Sequence, residues 1–380
     1  MRRRIFIHFK KGTRMNYLAE RMNAIDASGI RKIFALAAKM KNPVNLSIGQ
    51  PDYDVDQICK DEACRQIQAG FNSYTQTWGI EELREGVSAY YECKFGVPLN
   101  NVMITGGVSG GLFLALMATI NPGDEVICGD PYFVMYKHLV TLLGGVSVAV
   151  DTYPDFKLTP ERVEAAITPR TKAIIVNSPA NPTGVVLDAA EMQALADTAK
   201  KHNLLVISDE IYESLAYDAP PATMAGRYEN VLVLNGFSKN MAMTGWRLGY
   251  AAGPESVIQA MNTLQQYSFV CAPSFAQKAA VPALTADMSA KVESYRRKRD
   301  LVYNGLKDAF PCTKPGGAFY IFPQAPGGDG DAFVRKAIEN NVLIIPGSVF
   351  SERGVCFRIS FAAPDETILK GCEILKSLAG

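Results

Sequence analysis

Histidine is scarce in this chain of 380 residues: His8, His138 and His202 are the only three, and they share no ligand spacing, so no metal site is implied. The eight cysteines (59, 64, 93, 128, 271, 312, 356 and 372) contain no Cys-x-x-Cys pair, and several fall in apolar runs. They read as reduced thiols of a cytoplasmic protein, not as a disulfide or metal framework. An excess of charge is missing too. Lys and Arg number 39 against 38 Asp and Glu, a formal net charge of +1, so no global field draws the chain to nucleic acid or to an anionic membrane. The only basic runs, Arg2–Arg4 and Arg296–Arg299, read as a solvated tail and a solvated helix face. The short apolar run Ile5–Phe9 is too brief for a signal-peptide core or a membrane span, which leaves no membrane partner expected. Internal repeats and low-complexity linkers are absent.

What is present is a set of short, β-branched apolar runs that stop abruptly at polar residues, as strands buried on both faces do. Ala173–Val176 runs into Asn177-Ser-Pro-Ala-Asn-Pro-Thr-Gly184, and Leu204–Ser208 runs into Asp209-Glu-Ile-Tyr212. Between them, Asp188 to His202 has helical spacing of apolar residues, which makes a strand-helix-strand crossover of parallel strands. A third run, Val231–Leu234, leads to Ser238 and Lys239, with Arg247 eight residues further on. Taken alone, Lys239 reads as a surface lysine at a strand end. Ligands of open α/β sheets bind outside the carboxyl ends of the strands, however, so Asn181, Asp209, Tyr212 and Lys239 are expected in one crevice.

Those groups suit an aldehyde cofactor. An amine at Lys239 would capture the aldehyde, and a buried Asp209 would favour a protonated pyridine nitrogen. Asn181 and Tyr212 would donate to a phenolic oxygen, and Arg247 and Ser238 would hold a phosphate. The glycine-rich segment Gly106-Gly-Val-Ser-Gly-Gly111 is expected as a turn between a strand, Val102–Thr105, and a helix, Leu112–Ile120. Val108 and Ser109 would complete the phosphate cup at that helix start. Its spacing is not Gly-x-Gly-x-x-Gly and no Gly-Lys-Ser/Thr follows, which argues against a dinucleotide or a nucleoside triphosphate.

Asn181–Gly184 and Ser208–Tyr212 combine, in order, with Gly49–Asp52, Tyr74–Arg84, Pro122–Val126, Asp130–Phe133, Pro315–Tyr320, Pro346–Phe350 and Phe357–Ser360. With these motifs, from about Asn16 onward, the chain resembles the class I/II aminotransferases of the aspartate aminotransferase family, which are fold-type I pyridoxal-phosphate enzymes. The resemblance implies an α/β fold in which a large, mostly parallel sheet domain carries helices on both faces beside a smaller α+β domain. The boundaries expected are an extension over 1–15, poorly ordered, a small-domain segment over 16–48, a large cofactor-binding domain over 49–285 and a small domain over 286–380. It also implies pyridoxal 5′-phosphate as cofactor and a homodimer with shared active sites.

Carried onto this sequence, the resemblance makes Lys239 the Schiff-base residue and the base that moves a proton between substrate Cα and cofactor, with Asp209 and Tyr212 as its partners in catalysis. Phe133 resembles the ring that stacks on the pyridine, and Arg358 the clamp on the substrate α-carboxylate. Gly49, with Asn181, would leave room for that carboxylate, and Tyr74 resembles a tyrosine that reaches the phosphate from the neighbouring subunit. Read without the motifs, Phe133 is a core residue, Arg358 a solvated strand residue, Tyr74 interface packing and Gly49 a loop glycine. The expected activity is transfer of an amino group from an L-amino acid to a 2-oxo acid. A carbon-sulfur β-lyase of the same fold is the alternative, and a cofactor-binding scaffold is disfavoured by the retained lysine. No residue identifies a distal side-chain clamp: Lys137 and Arg31 have no telling spacing, whereas Tyr17, Ile30, Tyr136 and Tyr267 would suit an apolar pocket. Specificity is expected to be aspartate, aromatic or broad.

Overall fold

The apolar runs become the strands of one twisted sheet in the computed structural model, which describes residues 17–25, 29–30 and 40–380. In chain order the strands are β1 (Met103–Thr105), β2 (Glu125–Asp130), β3 (Val146–Asp151), β4 (Thr171–Asn177), β5 (Leu205–Asp209), β6 (Val231–Gly236) and β7 (Gly249–Ala252). Their spatial order is β1-β7-β6-β5-β4-β2-β3. Only β7 runs antiparallel to its neighbours; the other pairs are parallel. Side chains alternate across each strand, so Ile174, Val176 and Val206 enter one apolar layer and Ala173, Ile175 and Ile207 the other. Both faces are covered, which is why the strands read as unbroken apolar runs.

Register decides where the site lies. Asn177 pairs with Asp209, and Asp209 with Leu234, so β4, β5 and β6 end level with one another. The segments that follow them carry Asn181, Tyr212 and Lys239. The crossover helix α2 (Ala189–Lys201) starts at a capping box: Asp188 accepts from the Glu191 backbone N–H, and the Glu191 side chain accepts from that of Asp188.

The glycine-rich segment departs from the expectation. Helix α1 (Gly107–Thr119) begins at Gly107, so most of those glycines lie inside the helix and not in a turn before it. Glycine is a poor helix former, and close packing overrides that propensity here. A Cβ on Gly111 would lie 3.2 Å from Leu234, and one on Gly107, where φ is +75°, only 2.7 Å from the Arg247 guanidinium. Helix α3 (Glu255–Gln266) packs against α1.

Helix α4 (Ser289–Leu306) leads into the C-terminal elements β8 (Tyr320–Ile321), β9 (Ile345–Pro346), β10 (Phe357–Ser360) and α5 (Asp365–Ala379). The three strands form an antiparallel sheet in the order β9-β10-β8, and Val44–Asn45 pairs with Val342–Leu343 beside it. Tyr295 and Leu306 of α4 are buried, and Leu301 is partly so. The basic run of α4 corrects the expectation of a solvated face. Lys298 and Arg299 are buried, Lys298 against Asp52 and Arg299 against Asp218, because their long side chains bridge α4 to loops packed over it; Arg299 also lies beside Asp300 of α4 itself. The expected extension, residues 1–15, lies outside the described residues, as does Arg31. No described helix is long and apolar enough to cross a membrane, and no group of three metal-ligating side chains occurs among the described residues.

Candidate active site

The level ends of β4, β5 and β6 open into a cleft of about 620 Å³. Gly49, Val108, Ser109, Phe133, Asn181, Asp209, Tyr212, Ser238, Lys239, Arg247 and Arg358 all line it. Of the expected site residues only Tyr74 stands elsewhere, 83% exposed on the surface.

At the inner end of the cleft Asp209 is buried. Tyr136 donates to its Oδ2 at 2.7 Å, and the Ile211 N–H reaches Oδ1 at 3.3 Å. Burial raises its pKa, against the Tyr136 hydrogen bond, the Ile211 N–H and the Lys239 charge. Asn177 clasps two neighbouring segments, donating to the Asp209 carbonyl at 2.9 Å and accepting from the Asn181 N–H at 2.9 Å. Lys239 is half-buried, and its Nζ donates to the Gly49 carbonyl at 2.7 Å. Burial, then the charges of Arg358 and Arg247, bring its pKa down to about 8, with Asp209 opposing. An amine with that pKa is neutral in part near neutrality, so it can act as nucleophile or base.

Arg358 sits on β10, fully buried. It donates from Nη1 to Asn181 Oδ1 and from Nη2 to the Ser47 carbonyl, each at 3.0 Å, while Nε has no partner. No carboxylate among the described residues pairs with it, and burial lowers its pKa. At the other end, Arg247 stands exposed over the start of α1 and donates to the carbonyls of Thr244 at 2.9 Å and Gly106 at 3.3 Å. The first-turn N–H groups of α1 have no intrahelical acceptor, and Ser109 and Ser238 add hydroxyls beside them.

The cleft therefore offers an anion cradle, a buried carboxylate, an amine of lowered pKa and an unpaired buried guanidinium. Known proteins give this arrangement its family. The description "Aminotransferase class I and II" matches residues 41–375. The chain belongs to the class I and II aminotransferases. An aspartate/prephenate aminotransferase of Cereibacter sphaeroides is 40% identical to it, covering 89% of this chain and 91% of its own. Aromatic-amino-acid aminotransferase 2 of Thermococcus litoralis is 37% identical, over 92% and 95%. The solved structure of the Thermus thermophilus aspartate aminotransferase with maleate superposes with a TM-score of 0.92 at 36% identity, over 96% of this chain and all of that one. The fold of this aminotransferase is accordingly fold-type I.

Sequence reasoning missed several residues of the aminotransferase cleft. Tyr136, expected in an apolar pocket, instead spends its hydroxyl on Asp209, because one turn of helix after Phe133 carries it beneath the strand end. Ile30 does line the cleft, but Tyr17 and Tyr267 are 85% and 87% exposed and do not. Lys137 points away and pairs with Glu352 at 2.5 Å, while its neighbour His138 lines the cleft. Tyr320 lies in the quoted Pro315–Tyr320 motif, yet in an apolar strand it reads as core. Only the register of β8 against β10 brings it to the site.

Proposed function

We propose that this chain is a pyridoxal-phosphate-dependent aminotransferase that moves an amino group from an L-amino acid to a 2-oxo acid, with aspartate, aromatic or broad specificity. The observation that carries this reading is Lys239, an amine of lowered pKa, sharing one cleft with a buried carboxylate and a buried, carboxylate-free guanidinium. When bound, pyridoxal phosphate supplies an aldehyde for amines and an electron sink for a carbanion at Cα.

The residues fit that group. Asp209 has carboxylate lone pairs beyond its two hydrogen bonds and favours a cation against it, as a protonated pyridine nitrogen would be. Asn181 and Tyr212 offer an amide and a hydroxyl on one side of the cleft, and Phe133 offers a ring. Val108, Ser109, Ser238 and Arg247 would hold the phosphate, since helix-terminal N–H groups, hydroxyls and a guanidinium converge there. Arg358 would hold the substrate α-carboxylate through its free edge, with Asn181 and Gly49 beside it, fixing the Cα–H bond near Lys239. Lys239 would then take and return the proton at Cα, the step that a base near its working pH performs best.

We read the chain as cofactor-binding over 49–285 and as a smaller domain over 286–380 together with residues 16–48, acting in the cytoplasm as a homodimer. Tyr74, Tyr267, Phe269 and Val270 are exposed on segments joined by the Gln265 side chain, which donates to the Thr77 carbonyl at 2.7 Å. Such an apolar surface beside the phosphate end suits a second copy, whose own Tyr74 would complete the cradle. The carbon-sulfur β-lyase reading is not favoured, since the relatives named above are called aminotransferases.

Spectrophotometry of the holoprotein tests the reading. An amino donor should bleach the visible band, 2-oxoglutarate or pyruvate should restore it, and Lys239→Ala should lose turnover by on the order of 10⁴-fold or more. Pyruvate release with no acceptor added would select the lyase.

A further inference from the structure

On the reading of the cleft just given, we propose that Tyr320 is a positioning residue that ties the Tyr212 phenol to the Arg358 guanidinium, so that one side chain sets both carboxylate binding and the proton balance at Lys239.

The tie begins in strand register. Ser360 of β10 lies opposite Tyr320 of β8, so Arg358, two residues earlier on β10, is the diagonal neighbour of Tyr320 on the same face. The Arg358 guanidinium carbon stands 4.4 Å from the centre of the Tyr320 ring and 4.7 Å from that of Phe350. Two aromatic rings thus hold a desolvated cation that has no carboxylate partner among the described residues. Contacts of this kind to ring faces steady the guanidinium plane and leave its edge for hydrogen bonds, which is what bidentate capture of a carboxylate requires. Two of the edge groups reach Asn181 and Ser47, and Nε is free.

The same residue acts on the cofactor side through its hydroxyl. Tyr320 and Tyr212 Oη are 2.9 Å apart, and both side chains are buried. One proton lies between the two oxygens, so the donor's identity decides which phenol keeps a proton for the cleft. Burial pushes both phenols up, Tyr212 well up; the charge of Arg358 is the leading opposing influence on Tyr320. The Arg358 cation, 4.4 Å from the centre of the Tyr320 ring, favours Tyr320 as the donor, and Tyr212 then keeps its own proton for an acceptor beside Lys239, whose Nζ lies 5.9 Å from the Tyr212 ring. A hydroxyl that accepts one hydrogen bond donates the next more strongly. Gly49 leaves room for the same hydroxyl: a Cβ there would come within 2.8 Å of Tyr320 Oη, and the Gly49 carbonyl is the acceptor of Lys239 Nζ.

Two variants of the holoprotein separate the two arms, with readouts that a purely structural role would not move. One readout is the pH midpoint of the visible band. The other is the Kd of an unreactive carboxylate, maleate or 3-phenylpropionate, whichever binds the wild-type protein. Tyr320→Phe keeps the ring on Arg358 and should bind the probe within about twofold of wild type, while its midpoint rises by roughly half a pH unit as the donor to Tyr212 is lost. Tyr320→Met keeps the volume but loses the ring, and should weaken probe binding by about tenfold. A Tyr320→Phe midpoint equal to wild type would overturn the link to Tyr212, and wild-type probe affinity in Tyr320→Met would overturn the link to Arg358. A wild-type holoprotein with no pH-dependent visible band would overturn the cofactor reading itself and this inference with it.

Discussion

Two arginines of this aminotransferase, Arg299 and Arg358, have side chains withdrawn almost wholly from water, and they are treated in opposite ways. Arg299 meets carboxylates within the protein: it forks onto Asp218, donates to the Pro315 carbonyl at 2.9 Å, and its Nε, though without a hydrogen bond, lies 2.8 Å from Asp300. Burial alone would lower its pKa, but the Asp218 hydrogen bonds and charge, with Asp300, raise it instead. Arg358 receives a carboxamide, one carbonyl and two ring faces, and no carboxylate. Burial lowers its pKa, opposed only by the Tyr320 and Tyr212 phenols. A buried cation left without an anion is costly. Its place in the cleft, beside the amine of Lys239, suits the clamp on a substrate carboxylate proposed above, whereas Arg299 fastens α4 to its neighbouring loops.

The contrast can be broken first by deletion in the cleft. Arg358→Leu should lower kcat/KM by on the order of 10²–10³-fold, mainly through KM for both amino and oxo acids, with thermal stability unchanged or slightly raised. Steady-state kinetics and a melting curve measure both. Conversion is the sharper manipulation. Asn181→Asp would give Arg358 the internal carboxylate that Arg299 already has, and should weaken binding of unreactive carboxylates by roughly 10–100-fold. Unchanged affinity would mean that the unpaired state of Arg358 has no functional meaning.

The pH dependence of cofactor capture extends the comparison to Lys239. Only the neutral amine attacks an aldehyde, so for a group held at about 8 the capture rate of the apoprotein should rise about tenfold per pH unit below that value and level off above it. After burial, Arg358 is the leading cause of the lowering, so in Arg358→Leu the break should move to higher pH; in Arg299→Met it should stay. The smallest effect on activity belongs to Arg299→Met. It should keep kcat/KM within about threefold while losing about 1–3 kcal/mol of stability, read as a fall of several degrees in Tm.

Much of this was legible in the chain because strands buried on both faces announce their ends. Ala173–Val176, Leu204–Ser208 and Val231–Leu234 each break off at a polar residue, and the sheet brings Asn181, Asp209, Tyr212 and Lys239 together from those breaks. Features that depend on register or on packing between distant segments were not legible. Nothing local tells that Arg299 is buried and Arg296 less so, or that α1 starts at Gly107 so that its glycines pack against β6 and Arg247. Tyr320 belongs to the same class, since its neighbours Tyr212 and Arg358 come from other elements and only cross-strand pairing aligns them. Tyr136 reached Asp209 by a turn of helix whose direction the sequence does not state.

Borohydride reduction of the holoprotein, followed by peptide mass mapping, interrogates the Lys239 amine itself. A single pyridoxyl phosphate adduct is expected on the peptide that carries Lys239, with loss of the visible band at the same stoichiometry. An adduct on another lysine, or a protein that stays colourless with the aldehyde, would overturn Lys239 as the Schiff-base residue.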